Sequence, residues 1–209
     1  GYFQETDPIR LFDDCSGYNQ MAVTPAQFAR MLPAALQHAI HRREVAVVGL
    51  PGDVAASPCA ESPGASGPLP SHGIYRPLDG ELRQLAEMIG SAERITVFCG
   101  IGAREAHDEV VRLAAMLKAP VAYTFKAKME VQYDNPYEIG MTGLLGLPSA
   151  YGAMHESDLL LLLGTDFPYD CFLPSECRIA QVDIRPERIG RRARVELGLA
   201  GDVKETLQA

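Results

Sequence analysis

Ile95-Thr96-Val97-Phe98-Cys99-Gly100-Ile101-Gly102 decides the fold, because an apolar run broken only by Thr96 passes directly into two glycines one residue apart. A strand with one wet face alternates apolar and polar residues, whereas a strand buried on both faces reads as a continuous run. The pattern returns at Leu159–Leu163, five leucines in succession, and again at 120–123 and 179–184. Between these runs the spacing is helical. Leu82, Leu85, Ala86 and Ile89 form one stripe, and Ala106, Val110, Leu113, Ala114 and Leu117 form another. Short helices are expected at 148–156 and after the 179–184 run, then a short strand near 195–199 and a helix opened by Asp202. Apolar strands alternating with helices predict an α/β fold, a Rossmann-like parallel sheet flanked by helices. Ligands of such sheets bind at the carboxyl ends of the strands.

Upstream, Thr24, Pro25 and Gln27 have the spacing of a helix start. Phe28, Met31, Leu32, Ala35, Leu36, Ala39 and Ile40 then recur at helical intervals, with Pro33 marking a kink or a later start. The run 45–50 reads as a buried strand stopped by Pro51-Gly52-Asp53. Between 51 and 80 lie six of the fifteen prolines and five of the nineteen glycines without apolar periodicity, so a linker is expected. The organisation read from this is a partial α/β segment at 1–55, a linker at 56–73 and a main domain at 74–209. Gly1 stands where a complete chain would have methionine, so a piece of a longer protein is expected.

A formal charge of −8 argues against a nucleic-acid partner, because phosphate backbones select basic faces. An anionic ligand would have to be held locally, by backbone amides or a few cations. Five cysteines without a Cys-x-x-Cys pair, and no secretory start, predict reduced thiols in the cytoplasm. The five histidines lack metal-ligand spacing, so no metal site is expected. The longest aliphatic run, Leu159–Leu163, is far short of the roughly 20 residues of a membrane span.

Four segments carry candidate binding chemistry. Gly100 and Gly102 sit where a strand gives way to a helix, a place where free amides favour phosphate; the alternative is a tight turn with no ligand. The third glycine of a dinucleotide fingerprint is replaced by Glu105, which weakens an ordinary nicotinamide site. Gly140-Met141-Thr142-Gly143-Leu144-Leu145-Gly146 has neither helical nor strand pattern, and its apolar residues between glycines suit a flat ligand better than water. Gly164-Thr165-Asp166-Phe167-Pro168-Tyr169 follows the leucine strand. Asp183 ends the next strand, where a carboxylate either accepts a ribose diol or caps the following turn. Lys126 and Lys128 follow a strand, as phosphate partners or as solvated surface lysines. No catalytic constellation is visible.

Taken together, Leu50-Pro51-Gly52-Asp53-Val54, Tyr133-Asp134-Asn135-Pro136-Tyr137, Gly140-Met141-Thr142-Gly143, the 164–169 segment, Val182-Asp183-Ile184 and Gly201-Asp202-Val203 resemble the thiamine-diphosphate enzymes, most closely the pyruvate oxidases that reduce quinone. The match begins at Gly1-Tyr2-Phe3-Gln4-Glu5-Thr6. The resemblance implies a three-domain enzyme, with 1–55 the tail of a pyrimidine-binding domain and 74–209 the FAD-binding domain. The cofactors it implies are FAD here, and thiamine diphosphate with Mg2+ mostly on parts outside this chain. In such enzymes pyruvate is oxidatively decarboxylated to acetate and carbon dioxide, with electrons passing through FAD to a quinone. By position, Gly100, Gly102, Lys126, Thr142, Gly143, Leu144, Leu145, Thr165, Asp166, Phe167, Pro168, Tyr169 and Asp183 would hold FAD, while Phe3 and Gln4 match residues that reach a thiamine site. Also implied are a homotetramer and a cytoplasmic location, peripheral to the membrane through a carboxyl-terminal segment outside this chain. This chain alone would be inactive. Two rivals stay open, an acetolactate-synthase-like carboligase with structural FAD and a non-catalytic nucleotide-binding module.

Overall fold

The computed structural model describes residues 3–59 and 73–209. Gly1, Tyr2 and residues 60–72, which include most of the expected linker and His72, lie outside the described residues. The chain divides into two units, 1–73 and 74–209.

The first unit contains α1 (Pro8–Phe12), β1 (Tyr18–Met21), α2 (Pro25–Arg42), β2 (Ala46–Gly49) and α3 (Gly52–Ala56). The start of α2 is where the sequence placed it. The Thr24 hydroxyl accepts from the Gln27 amide at 3.2 Å, and the Gln27 side chain accepts from the Val23 amide at 2.9 Å. Pro33 does not end the helix, which runs through it to Arg42. β1 pairs in parallel with β2, in register from Tyr18 opposite Ala46 to Met21 opposite Gly49. The expected buried strand is only half-buried along its length, since β1 is its one strand neighbour among the described residues. Residues 52–56, at the start of the proline- and glycine-rich stretch, are helical.

The second unit runs α4 (Asp79–Gly90), β3 (Ile95–Cys99), α5 (His107–Leu117), β4 (Val121–Tyr123), α6 (Lys128–Val131), β5 (Glu138–Met141), α7 (Pro148–Glu156), β6 (Leu159–Leu163), β7 (Arg178–Asp183), β8 (Leu197–Ala200) and α8 (Val203–Gln208). Its six strands form one parallel sheet in the order β5-β4-β3-β6-β7-β8. The chain first builds outward from β3 to β5, then returns through α7 to β6 on the other side of β3. The direction of winding therefore reverses between β3 and β6, the position at which sheets of this kind open a binding crevice.

The leucines of β6 explain why that strand is uniformly apolar. Leu159, Leu161 and Leu163 pack with Val97, Cys99, Val121 and Tyr123 under α4, α5 and α8. Leu160 and Leu162 face the other way, onto Phe98, Ala122 and the Ala150 and Met154 of α7. At the amino ends, the Asp158 carboxylate accepts from the Glu93 and Arg94 amides at 2.9 Å each, tying the start of β6 to that of β3. No helix among the described residues is long and apolar enough to cross a membrane. The sequence missed β5, and the helix expected after β7 is only a short 3-10 turn, Pro186–Arg188.

Because both faces are covered, Leu160→Ala and Leu161→Ala should each destabilise the fold by about 2–5 kcal/mol, the usual range for emptying a core site. Equilibrium denaturation checks this. A small effect at either position would mean that one sheet face is open.

Candidate functional site

Three glycines set the geometry where β3 and β6 end. The Gly100 amide donates to the Leu163 carbonyl at 2.8 Å, and the Gly102 amide to the Gly164 carbonyl at 3.0 Å. A Cβ on Gly100 would lie 2.2 Å from the Gly164 carbonyl oxygen, and one on Gly102 would lie 2.7 Å from the Gly164 Cα. Gly164 itself has φ +62°, and a Cβ there would lie 2.6 Å from the Gly102 Cα. Two loops thus meet backbone to backbone. This corrects the reading of Gly100 and Gly102 as amide donors to a phosphate, because both amides are already committed within the protein. Nor does a helix follow at once, since a 3-10 turn (Ile101–Ala103) intervenes and α5 begins at His107.

The glycine-rich segment, which has neither helical nor strand pattern in the sequence, begins inside β5. Gly140 and Met141 belong to the strand, and Thr142 to Leu147 then close a turn. In that turn the Gly146 amide donates to the Gly143 carbonyl at 2.9 Å and the Leu147 amide to the Met141 carbonyl at 2.7 Å. β5 is tied to β4 by Tyr123, whose hydroxyl donates to Glu138 at 2.9 Å; burial pushes that phenol up to about 12. Thr142 is buried, and its hydroxyl has no hydrogen-bond partner. A buried hydroxyl left unmatched costs about 1–3 kcal/mol, so it marks a place where a ligand group would be welcome. Gly143, with φ +110°, lies close under Phe167: a Cβ there would come within 3.1 Å of the ring. Leu144 and Leu145 at the tip are both 71% exposed.

After β6, Thr165 is buried and Pro168 is exposed. Phe167 is mostly spent in the core, edge-on to Phe98 at 5.2 Å and to Tyr169 at 5.5 Å, which leaves Tyr169 as the more accessible ring. Asp166 is one-tenth exposed and accepts from Arg188, Arg191 and Arg192 at 3.2, 3.2 and 3.0 Å. Sequence reading missed these arginines, although five arginines in the ten residues 185–194 were there to be seen. Asp183 is buried, and one of its oxygens accepts from the Arg185 amide at 2.9 Å, so it caps the next turn.

Exposed apolar side chains collect along this carboxyl edge: Ile101 after β3, Phe125 and Met129 after β4, Leu144 and Leu145 after β5, Tyr169 after β6 and Ile184 after β7. From β5 to β7 the edge spans four strand spacings, about 19 Å. Lys126 is exposed in the 3-10 turn after β4, and Lys128 bonds to Gln132, the residue that caps α6. Phe3 and Gln4 belong to the first unit, where Phe3 is 84% exposed and Gln4 has φ 58°. The edge thus carries exposed apolar side chains and a cluster of arginines gathered on one carboxylate.

Burial is the main cause raising the Asp183 carboxyl above its ordinary value. An acid protonated more readily in the fold contributes stability below its unfolded pKa of about 3.9. That contribution disappears as pH rises through the elevated folded value. Asp183→Asn should therefore be more stable than the parent at pH 7 and show a smaller loss from pH 4 to 7, as measured by chemical denaturation at each pH.

A 46% identical relative in Pseudomonas amyloderamosa, an uncharacterized 42.6 kDa protein encoded beside an isoamylase, matches all of this chain over 53% of its own length. The thiamine pyrophosphate-containing protein YdaP of Bacillus subtilis is 32% identical over 96% of this chain and 35% of its own. The chain therefore spans about half of one relative and about a third of the other. A pyruvate oxidase of Lactiplantibacillus plantarum and an acetolactate synthase large subunit of Methanocaldococcus jannaschii match at 27% and 28% identity. A solved structure described as a thiamin diphosphate-dependent enzyme of Mycobacterium smegmatis shares the fold, with TM-score 0.75 and 20% identity over 96% of this chain and 40% of that one. Residues 82–209 match the family described as the thiamine pyrophosphate enzyme central domain, and to that family this chain belongs.

Proposed function

We propose that the carboxyl edge of this sheet binds FAD, and that the chain is part of an oxidase that converts pyruvate to acetate and carbon dioxide with a quinone as acceptor. The observation that carries the reading is Thr142, a buried, unpartnered hydroxyl that is followed in the chain by Gly143 and the exposed Leu144 and Leu145. In this reading Leu144, Leu145 and Tyr169 would hold the flavin through their apolar surfaces, and Thr142 would offer it a hydroxyl. The apolar groups exclude water from it. Asp183 meets the ribose at the far end. Bound there, FAD would supply two-electron redox chemistry.

The family implies thiamine diphosphate, and Phe3 and Gln4 are the residues of this chain assigned towards it. Among the described residues no group of three or more His, Cys, Asp or Glu could hold a metal ion. A homotetramer and contact with the membrane surface through a carboxyl-terminal segment belong to the same proposal for the longer protein. The rival is a carboligase like acetolactate synthase, in which the flavin is structural, and the two make different products from pyruvate.

Thr142→Val separates a ligand site from a packing defect. Losing an unmatched hydroxyl should leave the apo fold as stable or more stable, while FAD affinity falls about five- to tenfold, the effect of one hydrogen bond. Flavin fluorescence titration with parallel denaturation reads both. Equal FAD affinity in the two proteins, or no binding to either, would remove the flavin assignment. In the intact protein, pyruvate-dependent quinone reduction supports the oxidase, and acetolactate formation without it supports the carboligase.

A further inference from the structure

We infer that Arg188, Arg191 and Arg192, gathered around Asp166, form a phosphate subsite for the diphosphate of a nucleotide whose ribose reaches Asp183. The inference rests on the nucleotide reading above for the ligand, and on a separate set of residues for the site. Between residues 185 and 194 there are five arginines and one glutamate, in a chain whose formal charge is −8. A scattered basic stretch would be an ordinary solvated surface. Here three guanidiniums instead converge on one carboxylate that is only 10% exposed, while they remain 34%, 53% and 32% exposed themselves.

The cluster is also held from below. The side chain of Gln181, 4% exposed in β7, donates to the Thr165 carbonyl at 3.1 Å and to the Arg188 carbonyl at 3.4 Å. Its oxygen accepts from the Gly190 amide at 2.9 Å. A buried amide thus pins the arginine turn to the loop after β6, and Gly190 takes φ +74° to make the turn. Asp166 can accept about four hydrogen bonds, whereas three guanidiniums carry fifteen N–H donors between them. One carboxylate faces three guanidiniums that stay partly exposed, so donors and positive charge remain in surplus around Asp166. Planar guanidinium forks match phosphate oxygens two at a time, which is why arginine is the residue suited to such a ligand. The cluster adjoins Asp183 at the end of β7, and Arg188 and Asp166 both act electrostatically on that carboxylate.

The test compares ADP, adenosine and inorganic pyrophosphate by isothermal titration against the chain and against Arg191→Gln/Arg192→Gln, a pair exposed enough to be replaced without unfolding. ADP should bind at least about tenfold more tightly than adenosine, the worth of one or more hydrogen bonds to charged groups. This advantage should shrink with added salt and collapse in the double variant, while adenosine binding is unchanged. Asp166→Asn, which loosens the arginines without removing them, should lower ADP affinity in the same direction. An ADP advantage that survives in the double variant, or none in the parent, overturns the subsite. Pyrophosphate binding as tightly as ADP overturns the nucleotide assignment. Failure of the flavin reading is distinguishable: FAD would not bind the parent although the arginine-dependent preference for ADP persists. Equal FAD affinity in parent and double variant would sink the subsite and leave the flavin reading standing.

Discussion

No side chain separates the loops that follow β3 and β6. Gly100 and Gly102 lie so close to Gly164 that a single added carbon on any of the three would collide with backbone, and two amide-to-carbonyl bonds lock the contact. Backbone cannot repack as a side chain does, so the collision would have to be relieved by moving a whole strand end. The contact therefore fixes where Thr165, Asp166, Phe167 and Tyr169 emerge, and through Phe167 it fixes the Gly143 turn that rests beside that ring. The doubly buried leucines of β6 supply the stability, and the glycine contact turns that stability into position.

Several groups on the same edge work against stability. Thr142 buries a hydroxyl with no partner, Asp183 buries a carboxylate, and seven sizeable apolar side chains face water. Each feature costs free energy in the isolated fold, by lost hydrogen bonding, by desolvation of charge or by hydration of apolar surface. The amino edge of β3 and β6 is unlike this, because Asp158 there satisfies two backbone amides and is itself held below the ordinary carboxylate range by them. Costs concentrated at one edge, over a core that could have done without them, are what a binding edge requires.

What the sequence disclosed and what it hid divide along the same line. Leu159–Leu163 and Ile95–Cys99 were legible because burial on both faces forces a continuous apolar run, a property each residue carries by itself. The strands Glu138–Met141 and Tyr18–Met21 were not. The first contains a glycine and a carboxylate, the second is half polar, and each is a strand because of the neighbour it pairs with. The 140–146 segment was picked out as ligand-facing from its glycines and leucines, yet nothing local showed that Thr142 would be buried without a partner. Gly100 and Gly102 were noticed for the wrong reason. Their pattern is shared by phosphate loops and by close backbone crossings, and only the position of Gly164, more than sixty residues on, tells these apart.

The arginines show how a correct statement about the whole chain can conceal a local fact. A charge of −8 disfavours broad basic faces. Yet fields between exposed charges are screened within about 8–10 Å at ordinary ionic strength, so a site experiences only its own neighbourhood. In that neighbourhood one nearly buried aspartate gathers three arginines, and a carboxylate that lowers the net positive charge also fixes the direction of what is left. Asp166, read from the sequence as a ligand contact, pairs in the fold with all three of these arginines. The sign of a local potential follows from which groups the fold assembles within one screening length, and the sum over the sequence does not determine it.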